Sequence, residues 1–374
     1  MSEVNGVRIQ DHFATLKDPR RGEVTYPLIN VVVIAICAVI CGADDFVAIA
    51  KYGRSKKDWL SKFLDLSAGI PSHDRFNAIF AALNPREFET CLLSLITAMH
   101  EISEGQIVAI DGKTLRRSFD KATSKSAIHM VSAWATTNHI SLGQVVIDEK
   151  SNEITAIPKL LELIEVSGAL VTIDAMGCQT AIAEKIIKSD ADYCLAVKDN
   201  QPKLHEAIQE FFTEQLDSDF ADTPVRRHES HEKGHGRETD RYYYICPVPE
   251  DLATKDRWHK LKAIGVALSC TLRNGKESNE ARYYILSSYT SGKRFAEAVR
   301  EHWSIENNLH WQLDVTFGED QSRIRKGHAD ANFSVLRRSA LSILKREQTA
   351  KVGISNKRLI AGWDDEYLAK LLFT

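Results

Sequence analysis

Two short apolar runs, Gln106-Ile-Val-Ala-Ile-Asp111 and Ala169-Leu-Val-Thr-Ile-Asp174, each stop at an aspartate, and nothing else in the chain narrows its fold as much. Runs of this length, rich in apolar residues and closed by a polar one, read as buried strands. Residues 127–135 and 139–147 have the same character and are joined by the turn-forming Thr136-Thr137-Asn138, so with the first run they predict a three-strand meander. Residues 154–166 then carry helical spacing with Pro158 in the first turns, residues 178–188 carry it again, and residues 193–198 form a fifth strand. In this order the first and fourth strands lie side by side and parallel, so Asp111 and Asp174 meet at one edge of the sheet.

The order β-β-β-α-β-α-β is that of a ribonuclease H-like α/β domain. Two carboxylates held together at a strand edge repel unless a divalent cation neutralises them, and Mg²⁺ favours such hard oxygen ligands. Taken singly, an aspartate after a strand is equally a turn former or a helix cap. A third acid would complete a two-metal site. The helical stretch 293–313 offers Glu297, Glu301 and Glu306, and its spacing sets His302, Glu306 and His310 on one face. Trp303 and Trp311 flank that face and are expected to pack, while His302 and His310 read either as phosphate contacts or as surface histidines.

The flanks have a different texture. Residues 8–100 read as a helical N-terminal domain: an apolar run at 28–43, a mixed pattern at 45–64, a turn at Gly69-Ile70-Pro71, a helix over 75–83 with Ser72 as its N-cap, and another from Pro85 to 100. The run at 28–43 is interrupted by Asn30 and falls short of the ~20 residues a membrane span needs, so it reads as a core helix. Residues 105–345 form the α/β domain, broken at about 203–290 by a β-rich insertion with an acidic helix, a His-rich polar loop and β-type runs at 242–248, 263–272 and 282–287. A helix covers 332–346, and 346–374 form a basic, helical tail.

Charge bears on the partner. With a net charge of −3, a nucleic-acid partner has to be argued from local clusters. Over residues 321–351, Arg323, Arg325, Lys326, Arg337, Arg338, Lys345, Arg346 and Lys351 face only Asp330 and Glu347, and over 112–126, Lys113, Arg116, Arg117, Lys121 and Lys125 face only Asp120. Over residues 203–222, Glu206, Glu210, Glu214, Asp217, Asp219 and Asp222 face the single Lys203. A polyanion would follow the first two stretches and avoid the third. The 7 cysteines form no Cys-x-x-Cys pair and sit mostly in apolar runs, which reads as reduced thiols in a cytoplasmic protein, and the first residues lack the pattern of a signal peptide. His228-x-x-His231-x-x-x-His235 has no cysteine partners and is a weak zinc pattern, and no phosphate-binding Gly-x-x-x-x-Gly-Lys-Ser/Thr loop occurs.

Four blocks carry a resemblance: Ala109-Ile-Asp-Gly-Lys-Thr-Leu-Arg-Arg-Ser, Asp148-Glu-Lys-Ser-Asn-Glu-Ile-Thr-Ala-Ile-Pro158, Thr172-Ile-Asp-Ala-Met-Gly-Cys-Gln179 and His302-Trp-Ser-Ile-Glu-Asn-Asn-Leu-His-Trp-Gln-Leu-Asp314. In this order, across roughly residues 8–370, the chain resembles the H-repeat-associated family of bacterial insertion-sequence transposases, which are DDE enzymes. The resemblance implies that Asp111, Asp174 and Glu306 hold two Mg²⁺ ions, with Mn²⁺ as a substitute. It implies double-stranded DNA as partner, both the terminal inverted repeats of the element and the target, with a homodimer on the DNA, no membrane, and a bacterial, nucleoid-associated setting. Two places depart from the wider superfamily. Its Tyr-(2)-Arg-(3)-Glu-(6)-Lys pattern falls here on Val299, His302 and Leu313, and its Lys-Gly-Asn-Gln becomes Lys198-Asp199-Asn200-Gln201. DNA contacts are expected from Lys113, Arg116, Arg117, Lys198, His302, His310, Arg323, Arg325, Lys326, Arg337 and Arg338, and end recognition from the helix entered at Ser72, unless that is an ordinary bundle helix. A nuclease that cuts without joining, and a catalytically silent DNA-binding descendant, are the alternatives.

Overall fold

A helix that is apolar all round has no face to offer water and must be surrounded. That is the position of α2 (Leu28–Ile40), which follows α1 (Ile9–His12) and whose residues 30–40 are all buried; even Asn30 is satisfied, donating from Nδ2 to the Asp65 carbonyl at 2.6 Å. Around it stand α3 (Phe46–Ser55), α4 (Lys57–Leu60), α5 (His73–Ala82) and α6 (Pro85–Ala98). Their starts are set by local chemistry. Asp45 accepts from Ala48 N at 2.7 Å, Ser72 from Arg75 N at 3.2 Å, and Asn84 from Arg86 N at 3.0 Å, with Pro85 opening α6, each satisfying backbone N–H groups that a helix start leaves orphaned. The computed structural model describes residues 9–99, 105–115, 128–147, 152–234 and 236–373, and among these no helix is long and apolar enough to cross a membrane.

The middle of the chain forms the sheet that its periodicity predicts. The meander is β1 (Ile107–Leu115), β2 (Ile128–Ala135) and β3 (Ile140–Ile147), followed by α7 (Glu153–Leu163), β4 (Leu170–Ile173), α8 (Thr180–Lys188) and β5 (Asp192–Val197). β1 runs parallel to β4 and β4 parallel to β5, giving the ribonuclease H-like order β3-β2-β1-β4-β5. The β-rich insertion is not a separate body. After α9 (Pro202–Asp217) it supplies β6 (Arg226–Gly234), β7 (Arg237–Pro247), β8 (Ala263–Arg273) and β9 (Lys276–Leu286), and β9 pairs antiparallel with β5, Cys194 opposite Leu286. The result is one nine-stranded sheet ending β5-β9-β8-β7-β6. The physical reason is that β5 would otherwise be an open edge, and the apolar end of β9, Tyr284 to Leu286, is buried when it covers that edge. The His-rich stretch is likewise strand rather than loop: His228 and His231 lie in β6, and His231 Nδ1 sits 2.6 Å from Asp240 Oδ1 on β7. His235 lies outside the described residues.

α10 (Gly292–Ile305) then crosses back over β1, β4 and β7. Its start is tight, because a Cβ at Gly292 would collide with the backbone carbonyl of Arg227 on β6. Gly292→Ala is therefore expected to lower the denaturant midpoint by a loss of about 1–3 kcal/mol, the range for forcing extra carbon into a packed site. An unchanged midpoint would show that β6 yields freely.

The stretch expected to be a basic, DNA-facing helix is instead the most buried helix of the fold. α11 (Ala329–Arg346) packs against α2, α5 and α6 on one side and β3 on another, and Arg337 and Arg338 are only 2 % and 3 % exposed. Arg338 donates to Ser132 Oγ at 2.5 Å, and Arg337 donates to the Asp44 carbonyl at 3.3 Å and lies over the Phe333 ring. These guanidiniums answer buried acid rather than phosphate, so both are removed from the DNA contacts. The last helices, α12 (Ile354–Trp363) and α13 (Asp365–Phe373), pack onto α11.

Candidate active site

The parallel pairing of β1 with β4 ends at Ile110 opposite Ile173, so the next residue on each strand, Asp111 and Asp174, leaves the ladder at the same level. β1 itself does not stop at Asp111; it continues to Leu115 on β2 alone. Asp174 does leave the sheet, and Oδ1 caps the short turn Ala175–Gly177 by accepting from Met176 N at 3.1 Å and Gly177 N at 3.4 Å. The capping reading of Asp174 thus holds, and it leaves the residue at the β1–β4 edge. Asn200 and Gln201, from the block after β5, brace the same region by donating to the carbonyls of Ala175 at 2.6 Å and Cys178 at 3.0 Å.

The third acid comes from the end of α10, where the helix widens into π-helical turns over Glu306–His310 and Gln312–Thr316, a geometry that recurs at functional sites. Asp111, Glu306 and His310 can each bring one ligand atom so that all lie within 4.8 Å of one another. His310 Nδ1 is 3.5 Å from Asp111 Oδ2 and 3.7 Å from Glu306 Oε2. Glu297 lies instead beside Arg294, and Glu301 opens toward a separate polar cleft under β7 and β8.

Electrostatics mark the same spot. Burial first, then the charges of Glu306, Asp174 and Glu153, push the Asp111 carboxyl up to about 7. The imidazole of His310 holds Glu306 below the usual carboxylate range, against the pull of burial. Burial also lowers His310, helped by the positive charges of Arg338 and Lys113, and takes His302, whose Nδ1 lies 3.2 Å from Thr172 Oγ1, down to about 4. Both histidines therefore sit inside the site rather than on the surface. Sequence reasoning missed Glu153. It is half-buried, its carboxyl is raised by burial and by Asp174, and it packs so closely on Gly112 that a Cβ there would strike it. The signal was present, since Glu153 lies within the second of the four blocks.

Among the expected DNA contacts, Lys113 is reassigned. Its side chain is 8 % exposed, and Nζ donates to Asp314 Oδ1 at 2.5 Å and Glu319 Oε2 at 2.9 Å, clamping the π-helical segment onto β1 two residues beyond Asp111. Lys198 is exposed, beside Asp174 and His302 at a cavity of about 90 Å³. Arg323 and Lys326 are exposed and Arg325 half-buried along a groove of about 1070 Å³ that also runs past His73 and Asn77 of α5. Arg116 and Arg117 lie outside the described residues. Trp303 and Trp311, expected to pack, are 44 % and 52 % exposed, and the Arg282 guanidinium lies 4.4 Å from the Trp303 ring centre.

The family described as "Transposase DDE domain" matches residues 102–343, and the one described as "DDE_Tnp_1-associated" matches residues 10–96. The chain is 38 % identical over 374 residues to "H repeat-associated putative transposase YhhI" of Escherichia coli (strain K12), covering 98 % of this chain and 97 % of that one. It is 41 % identical over 367 residues to "Putative transposase YncI" of Escherichia coli O157:H7, covering 97 % and 93 %. A solved structure titled "Cryo-EM structure of piggyBac transposase synaptic complex with hairpin DNA (SNHP)" aligns with 97 % of this chain and 76 % of its own at 10 % identity and a TM-score of 0.43, too loose a likeness to bear on the site. With the family's match running from before β1 to the end of α11, the chain belongs to the DDE transposases, among the H repeat-associated members.

Proposed function

We propose that the chain cuts DNA at the ends of the element that encodes it and joins the freed 3′ hydroxyl to a target, with Asp111, Asp174 and Glu306 as its catalytic carboxylates. The observation that carries this reading is the arrival of Asp111 and Asp174 at one level of adjacent parallel strands, with Glu306 brought against Asp111 from the end of α10. The donor chemistry fits a divalent cation. Oxygen donors crowd together, and one of them, Asp111, is pushed up to about 7 first by burial and then by its acidic neighbours, as expected where a cation is needed before all can ionise. When bound, a pair of Mg²⁺ or Mn²⁺ ions supplies an activated attacking oxygen and charge stabilisation at the leaving one. Asp111, Asp174 and Glu306 would hold them.

The rest of the work falls to the protein. Lys198, Arg323, Lys326 and Arg325 would hold phosphates, and the outward residues His73 and Arg75 of α5, with Phe76, Ile79 and Phe80 buried behind them, would meet the element's inverted repeat. Joining requires both ends at once, which implies a dimer on the DNA, in the cytoplasm and at the nucleoid. Purified protein with Mg²⁺ and DNA bearing the flanking inverted repeats should yield cleaved and joined strands. Cleavage without joining would instead indicate a nuclease, and binding without either a silent descendant. Replacing Arg323 and Lys326 together by alanine should weaken binding to every sequence and lower the salt slope by about 2, because each lost phosphate contact removes close to one released counterion. A salt slope equal to wild type would move the contact surface elsewhere.

A further inference from the structure

The catalytic reading just given uses oxygen ligands only, and His310 is left over. Its ring is 5 % exposed, Nδ1 points at Asp111 and Glu306, and Nε2 is buried with no hydrogen-bond partner among the described residues. The unpartnered atom is Nε2, so what points to a ligand role is the other nitrogen, Nδ1, which approaches two carboxylates without a hydrogen bond of normal length to either. A charge-assisted bond to either carboxylate would be ~2.7–2.9 Å long, but Nδ1 lies 3.5 Å from one oxygen and 3.7 Å from the other. Those separations instead suit two donors sharing an ion. With bonds of ~2.0–2.2 Å, neighbouring ligand atoms on one cation lie ~3.0–3.5 Å apart, a spacing that Nδ1 and Asp111 Oδ2 meet at 3.5 Å and that Glu306 Oε2 at 3.7 Å lies just beyond.

We infer that His310 is itself a metal ligand, so that one of the two ion positions has a mixed set of Asp111, Glu306 and imidazole nitrogen, while the position toward Asp174 is all oxygen. Because Mg²⁺ favours oxygen and imidazole suits first-row transition ions, the mixed position prefers Mn²⁺ or a similar ion over Mg²⁺. This rests on the carboxylate site proposed above, and the bonds of Lys113 to Asp314 and Glu319 tie the segment following the ring to β1.

The decisive measurement is pulsed electron paramagnetic resonance of Mn²⁺ bound to the full chain, without DNA. Coupling of the Mn²⁺ electron spin to a histidine nitrogen is expected in wild type, changing to the ¹⁵N pattern after labelling of histidine, which needs no variant. His310→Gln should lose the coupling and bind Mn²⁺ about ten- to a hundredfold more weakly, with Mg²⁺ affinity changed only a few-fold. Mn²⁺ that binds in an Asp111-dependent way with no nitrogen coupling, or with coupling that survives in His310→Gln, would overturn the assignment of His310 and leave the carboxylate site standing. Mn²⁺ binding indifferent to Asp111→Asn would overturn both.

Discussion

Asp111→Asn should reduce strand cleavage by roughly a thousandfold or more while raising the melting temperature of the metal-free protein at pH 8. The first effect follows from deleting a charge proposed to hold the metal, since losing several kcal/mol of transition-state stabilisation is worth about a factor of ten per 1.4 kcal/mol. The second follows from linkage. The folded state lifts the Asp111 carboxyl from 3.8 to about 7, so folding favours its protonated form. The resulting stability is fully present below the unfolded value, declines as pH rises above it, and is gone once pH passes about 7. Asparagine keeps the size without the titration, so the variant's advantage should grow from pH 4 to 7 and then level off. Melting curves across that range, with and without Mg²⁺, read it directly, and saturating Mg²⁺ should restore wild type but not the variant. An Asp111→Asn protein that melts below wild type at pH 8, or that still cleaves normally, would contradict the placement of Asp111 among crowded acids.

Glu319→Gln should be the most destabilising conservative change in the fold. Its carboxylate is fully buried, takes Lys113 Nζ at 2.9 Å and Ser334 Oγ at 2.7 Å, and lies in the field of Arg337 and Arg338. Burial alone would raise its pKa, but those three cations hold it at about 2. Removing the charge leaves the cations uncompensated in the interior, and breaking a buried pair in this way costs about 3–5 kcal/mol. The sign with pH is opposite to that of Asp111. A depressed carboxyl contributes stability above its unfolded value, which is lost as pH falls toward 2, so wild type should lose stability steeply in acid and Glu319→Gln should not. Denaturant midpoints at pH 7 and pH 2.5 test both statements, with Arg323→Ala, an exposed change, expected to stay within about 0.5 kcal/mol of wild type at pH 7. A midpoint for Glu319→Gln equal to that control would mean the buried charges are met by partners other than Glu319.

The sequence showed what depends on neighbours along the chain. Ser72 and Pro85 sit where helix starts need them, and the apolar runs before Asp111 and Asp174 identify strands whose parallel pairing follows from the crossovers between them. What it hid depends on residues far apart. A tally of basic residues cannot tell Arg323, which is exposed, from Arg338, which meets Glu319 and Ser132 inside the core. Helical spacing brought His310 beneath Glu306 but could not reveal that the ring is buried against Asp111, a contact from a helix onto β1. The pairing of β9 with β5 was likewise invisible, because the two strands are separated by the whole insertion and their match lies in the shared register of Cys194 with Leu286.

The burial of α11 also governs how the protein can be made. α2, α5 and α6 are finished early in synthesis, yet the surface that covers them comes from Ala329–Arg346 near the far end of the chain. Until the ribosome has released that helix, the nascent chain carries bare apolar faces, the condition that recruits chaperones and invites aggregation. A messenger cut short before residue 346 would therefore yield a sticky, degradable fragment, and because Glu306 and His310 also come late, a ribosome that stalls inside the insertion releases a chain in which Asp111 has neither beside it.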